Sequence, residues 1–314
     1  MTNNAITTTE DDFNWFSNNG VFMPMINDTG RNIFYKAAIE HSVKDKVVCD
    51  IGTGTGFLSV LAAKAGAKKV YAVEMDPGRA EFATKMIKEV GLSDVVEVIN
   101  ANFLDTDIAA DIYVSETIGT QVFNENIIAI AEHARKHGGV FIPSTFELTA
   151  KVFTNHPIFP LVQSGSDAFE FQPDINIDDK FEALINKGFQ QQHPLSNTLY
   201  RANCIHNLFR ELPKFTDLKL NLEYETDPII VDLNQPVDMD SIRITIPADK
   251  VNLTSWNGVC VVLFWQAKYQ NITMDVTDTI WGNPSKIILP RIRNNDIPVT
   301  LWYDHSIADW RFTF

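Results

Sequence analysis

The stretch V-V-C-D-I-G-T-G-T-G-F-L, residues 47 to 58, constrains this chain more than any other. An apolar run reaches Asp50, and three glycines follow at alternate positions, Gly52, Gly54 and Gly56. A strand, a glycine-rich turn and a helix in that order form a nucleotide-binding crevice at the carboxyl ends of parallel strands. The spacing narrows the ligand. A dinucleotide fingerprint wants a glycine at position 57, which is Phe57. A P-loop wants Gly-Lys-Ser or Gly-Lys-Thr, and neither follows. The glycines therefore suit a ligand without a pyrophosphate. Glu74 ends the next strand, where a carboxylate accepts hydrogen bonds from two ribose hydroxyls. The plain alternative, a tight turn followed by a surface acid, does not explain why turn and acid occur together on consecutive strands.

The surrounding pattern agrees with that crevice. Helical periodicity over 29–43 sets an apolar face of Ile33, Phe34, Ala37 and Ala38. Strands at 46–51, 69–74, 96–100, 111–115 and 139–142 alternate with helices at 57–65, 78–90 and 124–136, which predicts βαβ units and a parallel sheet. Beyond Pro143 the character changes to β-branched and aromatic runs such as FELTAKVF (146–153), GVCVVLFWQAKY (258–269) and PVTLWYD (298–304). These predict an antiparallel β domain, sandwich or barrel. The division is a flexible segment 1–19, a nucleotide-binding domain 20–144 and a β domain 145–314, interrupted by a helical arm within 155–212.

Composition excludes several classes. With 26 basic and 40 acidic residues the net charge is −14, so no phosphate-neutralising surface for nucleic acid is expected. Cys49, Cys204 and Cys260 are scattered and odd in number, which predicts a reducing compartment, no disulfide framework and no metal site. The polar start MTNNAITTTEDD is no signal peptide, and no apolar run spans a bilayer, so a cytoplasmic protein without a membrane role is expected.

D-I-G-T-G-T-G with a strand-ending acid resembles motif I of class I S-adenosylmethionine-dependent methyltransferases. The resemblance narrows at V-S-E-T-I-G-T-Q-V-F-N-E, residues 114–125, which is similar to the double-glutamate loop of the protein arginine methyltransferases. M-I-N-D-T-G-R-N, residues 25–32, resembles the segment ahead of motif I in that family. Phrases at 91–100 and 132–137 and the ending Y-D-H-S-I-A-D-W-R-F-T-F lean toward the monomethylating, type III branch. The resemblance implies a Rossmann-like domain followed by a β-barrel with an arm, S-adenosylmethionine as cofactor, arginine-containing basic proteins or peptides as substrates, and a homodimer. It implies catalytic roles for Glu116, Glu125, Asp28 and Trp281. It implies cofactor contacts from Arg31, Asp50, Gly52, Gly54, Gly56, Glu74, Phe103, Asp105, Phe16 and Met25. Among these, Arg31 would meet the methionine carboxylate, and Phe103 and Asp105 the adenine.

The chemistry explains the residue types. A guanidinium is planar, has five N–H donors and keeps its proton up to a pKa above ~12. Two carboxylates can hold that plane and draw charge from the attacking nitrogen. The pattern departs from the family in places. The Thr-His-Trp loop reads Thr279-Ile280-Trp281, so Asp28 lacks its histidine partner. Phe13 and Phe16 replace a tyrosine motif, and Gly119 stands where the monomethylating branch has an acid. Two other readings stay open: methyl transfer to another guanidine or amine acceptor, and a binding protein that keeps the fold without turnover.

Overall fold

The computed structural model describes residues 28–119, 122–154, 221–251, 259–279, 285–289, 298–306 and 309–313. The segment 1–19, the arm at 155–212, and Phe16, Met25, Ile280 and Trp281 lie outside the described residues.

Up to Ile142 the strand–helix alternation gives a parallel sheet. Its strands are β1 (Val47–Ile51), β2 (Lys69–Glu74), β3 (Val96–Asn100), β4 (Ile112–Ser115) and β5 (Val140–Ile142). Among the described residues it is five-stranded, in the order β3-β2-β1-β4-β5. The order reverses between β1 and β4, and ligands of such sheets bind at that switch point. The central strands β1 and β4 are buried runs, as a parallel sheet covered on both faces requires.

Four helices accompany the sheet among the described residues: α1 (Thr29–Ser42), α2 (Phe57–Lys64), α3 (Pro77–Glu89) and α4 (Ile127–Arg135). Asp28 and Asp76 cap α1 and α3 by accepting the N–H of the third helical residue, and Pro77 opens α3 where no N–H is missed. The buried face of α1 is Arg31, Phe34, Tyr35, Ala38 and Ile39. It is rotated by about a residue from the expected face, and Ile33 is 63% exposed. The Tyr35 hydroxyl, which donates to the Ser115 carbonyl at 2.8 Å, draws the ring inward. Helix α4 begins at Ile127 rather than 124, because Asn126 adopts a left-handed φ of 65°.

Only Pro143 and Ser144 separate β5 from β6 (Thr145–Thr154). Ten residues of β6 pair antiparallel with β10 (Val259–Tyr269). Alternation is strict on the core side: Phe146, Leu148, Ala150 and Val152 face Val261, Leu263, Trp265 and Ala267 in one buried cluster. This pair centres a six-stranded sheet, completed by β7 (Asn221–Glu225), β8 (Ile229–Asp232), β11 (Ile272–Asp275) and β12 (Ser285–Leu289). A three-stranded sheet holds β9 (Arg243–Ile246), β13 (Val299–Asp304) and β14 (Asp309–Thr313). The second domain is thus antiparallel, as the run of short strands predicts. None of the described helices is long and apolar enough to cross a membrane.

Aromatic rings join the two domains. Phe123, in the segment after β4, meets Phe146 and Tyr303 edge-on at 5.5 Å, and Phe146 meets Trp265 at 6.1 Å. Helix α1 also bridges them, with the Ser42 hydroxyl donating to Tyr269 at 2.9 Å. Replacing Tyr35 by Phe strands the buried Ser115 carbonyl. We expect a loss of about 1–3 kcal/mol in urea unfolding; an unchanged midpoint would show that this bond holds nothing.

Candidate functional site

The glycine turn is built from below. Asp50 is buried, and one of its oxygens accepts from the Thr53 and Ser59 hydroxyls, each at 2.6 Å. Burial pushes its carboxyl up, and the two hydroxyls oppose the shift. Gly52 (φ 72°) and Gly56 (φ 82°) take left-handed conformations that side chains rarely adopt. Asp50, expected to touch the ligand, instead ties the turn from within and does not line the cavity above it. Gly56 is also absent from the lining; a Cβ there would face Ile87 and Ala83 of α3.

That cavity has a volume of about 660 Å³, within the ~300–1,000 Å³ typical of small-molecule sites. One end is walled by Thr53, Gly54, Glu74 and Met75. Glu74 is buried; its oxygens accept from the Gly54 and Asp76 N–H groups at 3.0 Å each. A carboxylate has about four lone-pair directions, so capacity for a diol remains. Phe103 also lines the cavity, beside Asn102 and Leu104, in the segment that leaves β3 next to Glu74. Its ring is packed edge-on against Tyr113 and His133, at 6.0 and 5.1 Å. His133 donates from Nε2 to the Thr106 carbonyl at 2.7 Å, bracing this wall from α4. Asp105 is exposed at the end of the short turn Phe103–Asp105 and does not line the cavity.

The other end gathers charge. Asp28, Arg31, Glu116 and Glu125 all line it. Arg31 Nη1 lies 3.2 Å from Glu116 Oε2, with both side chains largely buried at 7% and 11% exposure. The pair is close in charge but not aligned as a hydrogen bond. Arg31 Nε and Nη1 have no hydrogen-bond partner among the described residues. Buried donors of this kind fit an anionic group arriving from the cavity. Burial pushes the Glu116 carboxyl up to about 8, with Arg31 opposing and Glu125 and Asp28 adding to the rise. Glu125 is exposed, in the turn ahead of α4 rather than inside a helix. The two glutamates thus differ, where the sequence suggests a matched inward pair.

The antiparallel domain closes the cavity with Trp265, Met274, Val276 and Thr279. Sequence reasoning did not single out Trp265, Ser59 or His133. Ser59 did leave a trace, as a polar residue on the buried face of an otherwise apolar helix.

The folded Glu116 carboxyl titrates above its ordinary value of 4.5, so the folded protein holds a proton that the unfolded chain has lost. Stability is therefore lost as pH rises from about 4.5 through about 8. The variant Glu116→Gln removes this titration. Its stability relative to wild type should climb between about pH 5 and about pH 8 in urea unfolding, and parallel pH profiles would refute the assignment.

Comparison with known proteins places this geometry. A family model described as a methyltransferase domain matches residues 42–200. The arginine N(omega)-methyltransferase of Streptomyces achromogenes subsp. streptozoticus is 35% identical over 150 residues, covering 44% of this chain and 42% of that protein. Protein arginine N-methyltransferase 8-B of Danio rerio is 34% identical over 141 residues, covering 42% of this chain and 33% of that protein. The chain thus matches less than half the length of these curated relatives. The crystal structure of PRMT6 with SAH superposes with a TM-score of 0.62 at 19% identity, covering 94% of this chain and 98% of that one. Protein arginine methyltransferase 10 of Arabidopsis thaliana gives 0.57 at 18% identity, with 96% and 98% covered. These two likenesses show a shared fold.

Proposed function

The chain belongs to the methyltransferase-domain family, and from that premise we propose that it transfers a methyl group from S-adenosylmethionine to an arginine guanidinium nitrogen. The observation that carries this reading is Glu116. It is a buried carboxyl pushed up to about 8, beside a second glutamate, in a cavity also lined by Arg31, two of whose nitrogens have no hydrogen-bond partner among the described residues. Asp28, Glu116 and Glu125 outnumber Arg31 at this end of the cavity, which suits a second cation.

The residues divide the work. Arg31 offers its buried donors to the cofactor carboxylate, and Glu74 its remaining lone pairs to the ribose diol. The Phe103–Leu104 wall would take the adenine. S-adenosylmethionine, when bound, supplies an electrophilic methyl on its sulfonium. Glu116 gives up its proton as a guanidinium enters, because a cation in hydrogen-bond reach favours the ionised form. Glu125 holds the other edge of the guanidinium plane from the cavity rim. Positioning of the acceptor carries most of the acceleration, of order 7–11 kcal/mol for well-oriented reactants. The relatives named as protein arginine N-methyltransferases support basic, arginine-rich protein segments as acceptors, and the acidity of the chain suits them. One observation favours a second reading. The Streptomyces relative is named for arginine without the word protein, which supports free arginine or another small guanidine as acceptor.

Labelled cofactor and an arginine-rich peptide test the reading. We expect label on arginine, released as monomethylarginine on hydrolysis, and a fall of about 10²–10³ in rate for Glu116→Gln and for Glu125→Gln. Transfer to free arginine but not to peptide would select the second reading. Absence of transfer despite cofactor binding in calorimetry would overturn both.

The reading extends to the whole molecule: the antiparallel domain closes as a barrel, the protein acts in the cytoplasm, and two copies assemble as a homodimer. Light scattering at micromolar concentration should give twice the 35.4 kDa chain mass; a single species at monomer mass contradicts the homodimer.

A further inference from the structure

Gly119 has no left-handed φ, so its backbone does not call for glycine. Space does. A Cβ at position 119 would lie 1.9 Å from Asn124 Oδ1, 2.6 Å from Cγ and 2.9 Å from Nδ2. The Asn124 carboxamide therefore fills the space that a side chain at position 119 would need, with its oxygen foremost. Both residues line the cavity, as do Glu116 and Glu125. Glu116 stands three residues before Gly119, and Glu125 follows Asn124 directly. The contact therefore joins the two ends of the segment that carries the glutamates.

The surroundings hold the contact in place. Val122 N–H donates to the Gly119 carbonyl at 2.9 Å, and Asn126 N–H to the Phe123 carbonyl at 3.1 Å. The Phe123 ring is fixed between Phe146 and Tyr303. Val122 and Asn126 both sit at positive φ, 69° and 65°, so the turn around Asn124 is shaped against local preference. A conformation of that kind persists where its surroundings enforce it.

We propose that Asn124, seated on Gly119, is a positioning residue that sets Glu125 against Glu116 and so fixes the acceptor in the cavity. This inference rests on the arginine-transfer reading above. Asn124 acts through the glutamates, at the acceptor side of the cavity.

Four proteins decide it: wild type, Gly119→Ala, Asn124→Ala and the double variant. Initial rates with an arginine-rich peptide give acceptor kcat/KM, and calorimetry gives cofactor Kd. Gly119→Ala drives the carboxamide off its seat and should lower acceptor kcat/KM by about a hundredfold, as ångström-scale misplacement does. Asn124→Ala should lower it about tenfold, and the double variant should match Asn124→Ala instead of multiplying the two losses. Cofactor Kd should move far less than acceptor kcat/KM, because the role assigned to Asn124 is to position the acceptor carboxylates. Multiplying losses, or a parallel fall in cofactor affinity, would overturn the positioning role. Should Gly119→Ala fail to fold, a folded double variant with the activity of Asn124→Ala supports the role, because removing Asn124 removes the clash. A double variant that also fails to fold, or falls well below Asn124→Ala, overturns it. A wild type that moves no methyl to arginine brings down the arginine reading and this role together. An active wild type with independent variants brings down this role alone.

Discussion

Taking a carboxylate out of water costs several kcal/mol unless other groups replace its hydration, and this fold does so three times along one sheet edge. Asp50, Glu74 and Glu116 stand at the carboxyl ends of β1, β2 and β4, which are neighbours in the sheet. One Asp50 oxygen is compensated by two hydroxyls while the other has no hydrogen-bond partner among the described residues, and Glu74 is compensated by two backbone N–H groups. Glu116 has Arg31, at 3.2 Å and out of hydrogen-bond alignment. The three acids thus run from structural to reactive. The first holds a turn, the second keeps spare lone pairs, and the third stays under-compensated and holds its proton. The glycine turn, the capped start of α1 and the loop after β4 all take their shape around that row.

The antiparallel domain does more than cover the sheet. Its β10 and β11 supply Trp265 and Met274 to the cavity, so the charged end has one apolar wall. That wall lowers the local dielectric, which strengthens each charge interaction inside and raises the cost of leaving one unpaired. The Phe123–Phe146–Trp265 ring contacts tie the same wall to the segment that carries Glu125. The carboxylates and their apolar boundary are therefore parts of one packed unit.

Local features were the legible ones. The order of strands and helices through Ile142 follows from periodicity, and the second domain's antiparallel character from its β-branched runs. Glu74 and the glycines could be read because they fall on consecutive elements at set distances. The face of α1 could not, since Ile33 and Tyr35 are both apolar enough and only the bond to Ser115 separates them. The cofactor contact of Asp50 is implied by the resemblance, whereas its tie to the Ser59 hydroxyl, nine residues further on in the first turn of α2, is not visible in the sequence. Strands β7 and β8 were missed because exposed acids such as Glu223 and Glu225 mask the alternation. Trp265 is separated from Glu116 by a long stretch of chain, and no spacing rule joins them. The different exposures of Glu116 and Glu125 were equally hidden, because they depend on where a turn ends.

The join between the two domains is two residues long, with Ser144 held to Lys268 and Leu233 by backbone hydrogen bonds of 2.8 Å. A longer connection would let the halves open and shut, and every ligand would then bear the entropy of bringing them together. Here that ordering is completed when the chain folds. Among the described residues both walls of the cleft are set by the fold, and a ligand meets their chemistry already in place.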